Sequence, residues 1–156
     1  MIGPAPERPG TGWAPGSTGE AMIAHPRTCG RTTTVHQARE VFRDDHVHAL
    51  LVVDRGVLLA VVERGDLDGR PAAAPVRWLG TLAGRTVAPT APATATRDRM
   101  RAEGRRRLAV VDGHGRLLGL VCLKRSGAGF CTDERVRARA AERAARRRPH
   151  IGATRS

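Results

Sequence analysis

Leu50-Leu51-Val52-Val53-Asp54-Arg55-Gly56-Val57-Leu58-Leu59 is followed later by Leu108-Ala109-Val110-Val111-Asp112-Gly113-His114-Gly115-Arg116-Leu117-Leu118. Each stretch starts with four apolar residues, enough for a short buried strand. A polar turn containing glycine follows, then a second apolar run. Two strands joined by such a turn form a hairpin. The likeness extends outward at a fixed shift. Moved by 58 positions, Thr28 meets Thr86, Thr32 meets Thr90, Arg39 meets Arg97 and Arg43 meets Arg101. After Asp112 one inserted residue makes the shift 59, and Gly56 then meets Gly115 and Val62 meets Val121.

Each copy has the same order of elements. A short extended segment (27–31; 85–89) precedes a helix. In the first helix Thr34 and Gln37 have the spacing of a capping box, and Val35, Ala38, Val41 and Phe42 share one face. In the second, Pro92 suits a helix start, and Ala93, Thr96 and Met100 take the same face. The hairpin comes next, with returning strands over 57–62 and 116–123. The pattern predicts an α/β chain of the α+β type: a disordered lead over 1–21, a first repeat over 22–67, a linker over 68–78 and a second repeat over 79–125. A loop and a C-terminal basic helix fill 126–148, and a tail covers 149–156. The segment 76–82 reads as a short helix. The last helix, 133–148, has acids at its start and arginines at its end, as the helix dipole favours.

Composition narrows the functional classes. Forty per cent of the 156 residues are apolar, but there are only two Phe, two Trp and no Tyr, so the core is aliphatic. The formal charge is +12, which invites a nucleic-acid reading. Lys124 is the only lysine among 27 basic residues. Such arginine saturation looks like coding bias and says little about a partner. No apolar run is long enough for a membrane helix, and the Pro/Gly-rich start does not read as a signal peptide. Cys29, Cys122 and Cys131 are odd in number and unlike a disulfide framework. They point to a reducing cytoplasm, with Cys122 a small buried apolar residue. The six histidines are scattered and no metal-ligand set forms. There is no catalytic triad, P-loop or dinucleotide glycine motif, so no catalytic residue is assigned and an enzyme is not expected.

The order strand, helix, apolar-Val-Val-Asp, turn with Gly, then Leu117-Leu118-Gly119-Leu120-Val121 resembles the CBS domain family. The resemblance spans roughly 23–125 and includes both copies. It implies two tandem β-α-β-β-α CBS repeats in a pseudo-two-fold pair, a Bateman module. It also implies two clefts between the repeats that often hold adenine nucleotides or S-adenosyl compounds, a regulatory role toward an attached or partner protein, and a homodimer.

In family members that bind adenosine, the second hairpin strand ends Gly-x-x-Ser/Thr-x-x-Asp. The carboxylate takes both ribose hydroxyls and the side-chain hydroxyl meets phosphate. Here the first copy keeps Asp66 but has Glu63 at the hydroxyl position; the second has Cys122 and Arg125. The resemblance therefore implies one candidate site, using Asp66 and Val62 with Thr86, Val87, Arg107 and Leu108 of the other repeat. Arg107 is the candidate phosphate contact. Asp66 has a plainer alternative role, capping the helix after its strand. The function expected is that of a stand-alone regulatory CBS pair that senses an adenine nucleotide or S-adenosyl compound and modulates a partner protein. The alternative is a polyanion-binding protein that uses the Arg-rich C-terminal helix and Arg105–Arg107.

Overall fold

The computed structural model describes residues 12–132. Two three-stranded sheets are built alike. In the first, β1 (Thr28–Cys29) runs parallel to β2 (Ala49–Asp54), and β2 is antiparallel to β3 (Val57–Glu63). In the second, β4 (Thr86–Val87), β5 (Arg107–Val111) and β6 (Leu117–Cys122) repeat that order. Both hairpins slip register at the same place, between Val52 and Val53 and between Val110 and Val111. The first turn is tight because Arg55 and Gly56 both adopt positive φ, at 53° and 82°, as a two-residue hairpin loop requires. The second holds the extra residue by an Asp112 carboxylate that accepts from the His114 and Arg116 amides at 2.8 and 3.0 Å. These bonds keep the Asp112 carboxyl below its usual range.

Short α1 (Thr18–Ala21) precedes the first sheet, and α2 (Val35–Val41) and α3 (Ala93–Glu103) follow the parallel strands. Helix α2 packs Val35, Ala38 and Phe42 on Leu50, Val52, Ala60 and Val62. Met100 of α3 packs on Leu108, Val110 and Val121. Alternation sends the other strand faces inward between the repeats, where Leu51, Leu58, Val61 and Ala109 form a shared core. Val53 and Val111 lie at its edge, half-buried. After β3 the chain makes a 3-10 turn, Arg64–Leu67, and a second 3-10 turn spans Val76–Trp78.

The pseudo-two-fold is carried by reciprocal exchange. The Leu58 amide donates to Gly115 O and the Leu117 amide to Gly56 O, both at 3.0 Å. Ile23, ahead of the first sheet, bridges Leu120 of the second, while Thr81, ahead of the second sheet, bridges Val61 of the first. Each repeat's lead-in thus edges the other repeat's sheet. The helix starts are exchanged too. The first amides of α2, on Val35 and His36, donate to Ala74 O and Ala72 O, each at 2.9 Å, and that of α3, on Ala93, donates to Gly16 O at 2.8 Å.

The expectation of a disordered lead over 1–21 is therefore corrected for residues 12–21. Pro92 gives α3 no side-chain cap, and the lead supplies the acceptor. Buried Thr18 adds a hydroxyl contact to Thr96 at 2.7 Å, and Trp13 packs on the second core. Ser17 and Thr18 occupy the places that Pro75 and Val76 hold in the linker, as the Ser17–Pro92 and Thr34–Pro75 bridges show. Residues 1–11 and the basic helix expected over 133–148 lie outside the described residues.

Candidate functional site

The end of β3 meets the start of the second repeat across the pseudo-two-fold. Glu63 and Asp66 bracket the first 3-10 turn as a capping box, with the Glu63 amide donating to Asp66 Oδ2 at 2.8 Å. The plainer role of Asp66 is thus realised. Its carboxylate is also gripped from the other repeat. Arg85, just before β4, donates through Nη1 to Asp66 Oδ2 at 2.6 Å and through Nη2 to Oδ1 at 3.3 Å. Arg85 Nη1 also reaches Val61 O at 2.8 Å. Arg105, at the turn before β5, pairs with Glu63 at 2.9 Å, which raises the Arg105 pKa above its ordinary value. Two carboxylates of one repeat are therefore clamped by two arginines of the other. The Arg85 side chain is only 12% exposed, so its two-pronged contact with Asp66 is shielded and directional.

Beside this clamp a cavity of about 330 Å³ lies between the repeats, with His48, Glu63, Arg64 and Arg105–Arg107 on its wall. Glu103 also lines it, so two carboxylates offset part of the charge of four arginines. The His48 pKa is lowered to about 4, first by burial and then by Arg107, Arg106 and Arg64. Backbone carbonyls hold three of these arginines in place. Arg64 donates to Phe42 O, to Val47 O at 2.9 Å, and lies over the Phe42 ring. Arg106 Nε reaches Leu123 O at 2.8 Å, and Arg107 Nη1 reaches Arg106 O at 3.1 Å. Fixed guanidinium groups around an open volume can receive a multiply charged oxyanion.

Of the residues predicted for the site, Asp66 lies at the inter-repeat junction and Arg107 on the cavity wall. Val62 and Leu108 are fully buried, one in each repeat's core. Val87 packs against the second core, and Thr86 turns its carbonyl to Arg99 at 3.1 Å. Sequence reasoning missed Arg85. Its place directly before β4, next to the expected Thr86, does not separate it from the other 25 arginines of the sequence. It also missed His48, which the positions of the Asp44–Val47 turn bring to the cavity.

The second cleft is built differently. Cys122 stands where Glu63 stands in the first copy, and it is bonded to Cys131, with Cα atoms 5.3 Å apart. The expectation of unpaired thiols is corrected. The chain folds back after β6, so that the Cys131 amide meets Cys122 O at 2.6 Å and Leu123 bridges Phe130. Sequence spacing hid this because the Ser126–Gly129 loop reverses direction. The argument from cysteine count to a reducing compartment falls with it. Among the described residues no group of three or more His, Cys, Asp or Glu side chains could hold a metal ion, and no helix is long and apolar enough to cross a membrane.

The sequence matches the CBS domain family over residues 19–70 and 85–125. That is more than half of the chain, and the protein belongs to this family. Solved structures share its fold. The cystathionine beta-synthase pair domain of SO5017 from Shewanella oneidensis MR-1 superposes with a TM-score of 0.64 at 23% identity, covering 74% of this chain and 69% of that one. The cytosolic domain of the Mg2+ channel MgtE in complex with ATP gives 0.61 at 21%, covering 73% of this chain and 48% of that one, so this chain spans about half of its length. CBSX2 in complex with AMP gives 0.58 at 23%, covering 81% and 98%. Among curated proteins, none matches the sequence. The family is a regulatory one, and no catalytic family matches.

Proposed function

We propose that this CBS pair is a regulatory module that senses an adenine nucleotide in the inter-repeat cleft and modulates a partner protein as a homodimer. The observation that carries the reading is the cavity lined by Arg64 and Arg105–Arg107 together with Glu63 and Glu103, whose residues Arg64 and Gly65 belong to the turn that carries Asp66. Asp66 is the ribose acceptor. Its partner Arg85 gives way to the two hydroxyls. Arg107, with Arg64 and Arg106, receives phosphate. Arg64, Arg106 and Arg107 on the cavity wall favour phosphate anions over S-adenosylmethionine, whose sulfonium and ammonium groups bring positive charge. Complexes of two related folds with ATP and AMP support the ligand class. Exposed Trp78 and Leu82, at 70% and 41%, support a homodimer. The polyanion alternative gains nothing from Arg105–Arg107. They line the cleft, and Arg105 is paired with Glu63 and Glu103.

Thermal shift with AMP, ADP, ATP and S-adenosylmethionine at millimolar concentration tests the reading. A ligand at about 100 times its Kd stabilises the fold by about 2.7 kcal/mol. A nucleotide should raise the melting temperature of the wild type and of Arg125→Ala. It should raise that of Asp66→Ala much less. Equal shifts in all three proteins remove Asp66 from the site, and no shift with any compound refutes nucleotide sensing.

A further inference from the structure

We propose that Cys122 and Cys131 form a reversible thiol–disulfide modification site that fastens the segment after β6 onto the second repeat. The two residues are nine positions apart and bonded, and their Cα separation of 5.3 Å is within the range that a disulfide spans. Both are buried, and together with Ile23 they form a small core of their own. Ile23 exchanges hydrogen bonds with Leu120 at 2.7 and 3.0 Å. The bond therefore joins three layers of chain: the first repeat's lead-in, β6 and the returning segment.

The returning segment closes a small hairpin across the bond. The Cys131 amide donates to Cys122 O at 2.6 Å, the Lys124 amide to Gly129 O and the Gly127 amide to Lys124 O at 2.8 Å each, Leu123 bridges Phe130, and Phe130 packs on the second core. Arg125, Ser126 and Ala128 are exposed. A reductant gains access to the buried sulfurs when this short loop opens. Opening also bears on the cleft, because cavity residue Arg106 is held by the carbonyl of Leu123, the residue after Cys122. The third cysteine, Cys29, is unbonded, and burial raises its thiol pKa. It is not a competing partner for either sulfur in this fold.

The chemistry balances with ordinary cellular thiols. A reducing dithiol of the thioredoxin class attacks one sulfur through its thiolate and forms a mixed disulfide. Its second thiol then releases the protein. Two electrons and two protons pass to Cys122 and Cys131, and the dithiol becomes a disulfide. Oxidised glutathione reverses the reaction, yielding two molecules of glutathione. The module then responds to thiol–disulfide poise, and the Arg106–Leu123 contact couples that response to the other cleft.

The full chain tests this directly. It is first incubated, still folded, with oxidised glutathione, then denatured and labelled with a maleimide. One label per chain is expected, on Cys29, and three after dithiothreitol. Three labels without dithiothreitol, or a bond that includes Cys29, would overturn the proposal. Tryptic cleavage of the folded protein after Lys124 or Arg125, followed by mass spectrometry, reads the fastening. Reduction should accelerate it roughly tenfold or more, because local opening sets the rate. The double variant Cys122→Val/Cys131→Ala should be cleaved fast with or without reductant. Equal cleavage of oxidised and reduced wild type would show that the bond fastens nothing, and that comparison stands even if the double variant does not fold.

Discussion

The two repeats have nearly the same backbone and end their last strands in opposite chemistry. Strand β3 ends in the carboxylates of Glu63 and Asp66, clamped by Arg85 and Arg105 from the second repeat. Strand β6 ends in Cys122, bonded to Cys131, with Lys124 and Arg125 beyond. The apolar residues that set the fold were kept in both copies, whereas the residues at the strand ends diverged. One end is a charged junction between the repeats, and the other is bonded to the segment that follows the second repeat. A symmetric frame thus carries two unlike sites, and only the first keeps a carboxylate suited to a ribose.

The comparison can be broken most severely by removing what one repeat lends the other. Deleting residues 1–21 takes away Gly16, Thr18 and Trp13, on which α3 and the second core depend. We expect a loss of several kcal/mol, about the scale of a large core truncation. Hydrogen exchange should rise more in α3 than in α2. Unchanged stability in urea would contradict the exchange of helix caps.

A smaller effect comes from the strand positions under the lead-ins. A Cβ at Gly119 would sit 2.6 Å from Met22 Sδ and 2.7 Å from Ile23 O, whereas the first repeat has Ala60 at the matching place. Gly119→Ala should cost about 1–3 kcal/mol in chemical denaturation. Ala60→Gly should cost about 1 kcal/mol, from backbone entropy.

Helix caps sharpen the contrast at a smaller scale. Thr34 Oγ1 accepts from the Gln37 amide at 3.2 Å, and Gln37 Oε1 accepts from the Thr34 amide at 2.9 Å. Thr34→Ala should cost about 1 kcal/mol, with the loosening confined to α2. A different kind of effect is on pH dependence. Folding lowers the His48 pKa from 6.5 to about 4, so between those values the unfolded chain binds the proton first. Stability attributable to His48 is complete above pH 6.5 and falls as pH drops toward 4. His48→Gln should flatten that part of the stability profile, and an unchanged slope would show that His48 is not the responsible group.

The hairpins, both helices and the pairing of repeats were legible because period-2 and helical patterns recur at one shift. The lead was not. Ser17-Thr18-Gly19-Glu20 shares no residue with Pro75-Val76-Arg77-Trp78, although both play the same part, and its order comes from contacts 73 and 78 positions away. Asp66 was legible as a candidate through the family resemblance. Arg85 was not, since a single arginine among 26 shows its role only when its two bonds to Asp66 are seen. The cysteine pair was hidden for a similar reason: nine residues imply no contact until a glycine-containing loop turns the chain back.

The central claim is that Asp66 is a ribose acceptor now occupied by Arg85, and calorimetric titration of AMP and ATP into wild type and Arg85→Ala tests it most directly. Arg85 competes with the ribose for the same carboxylate oxygens, so its removal should tighten nucleotide binding by about tenfold, a gain of about 1.4 kcal/mol. Binding that is unchanged or weaker in Arg85→Ala, with the variant still folded by circular dichroism, would contradict the account.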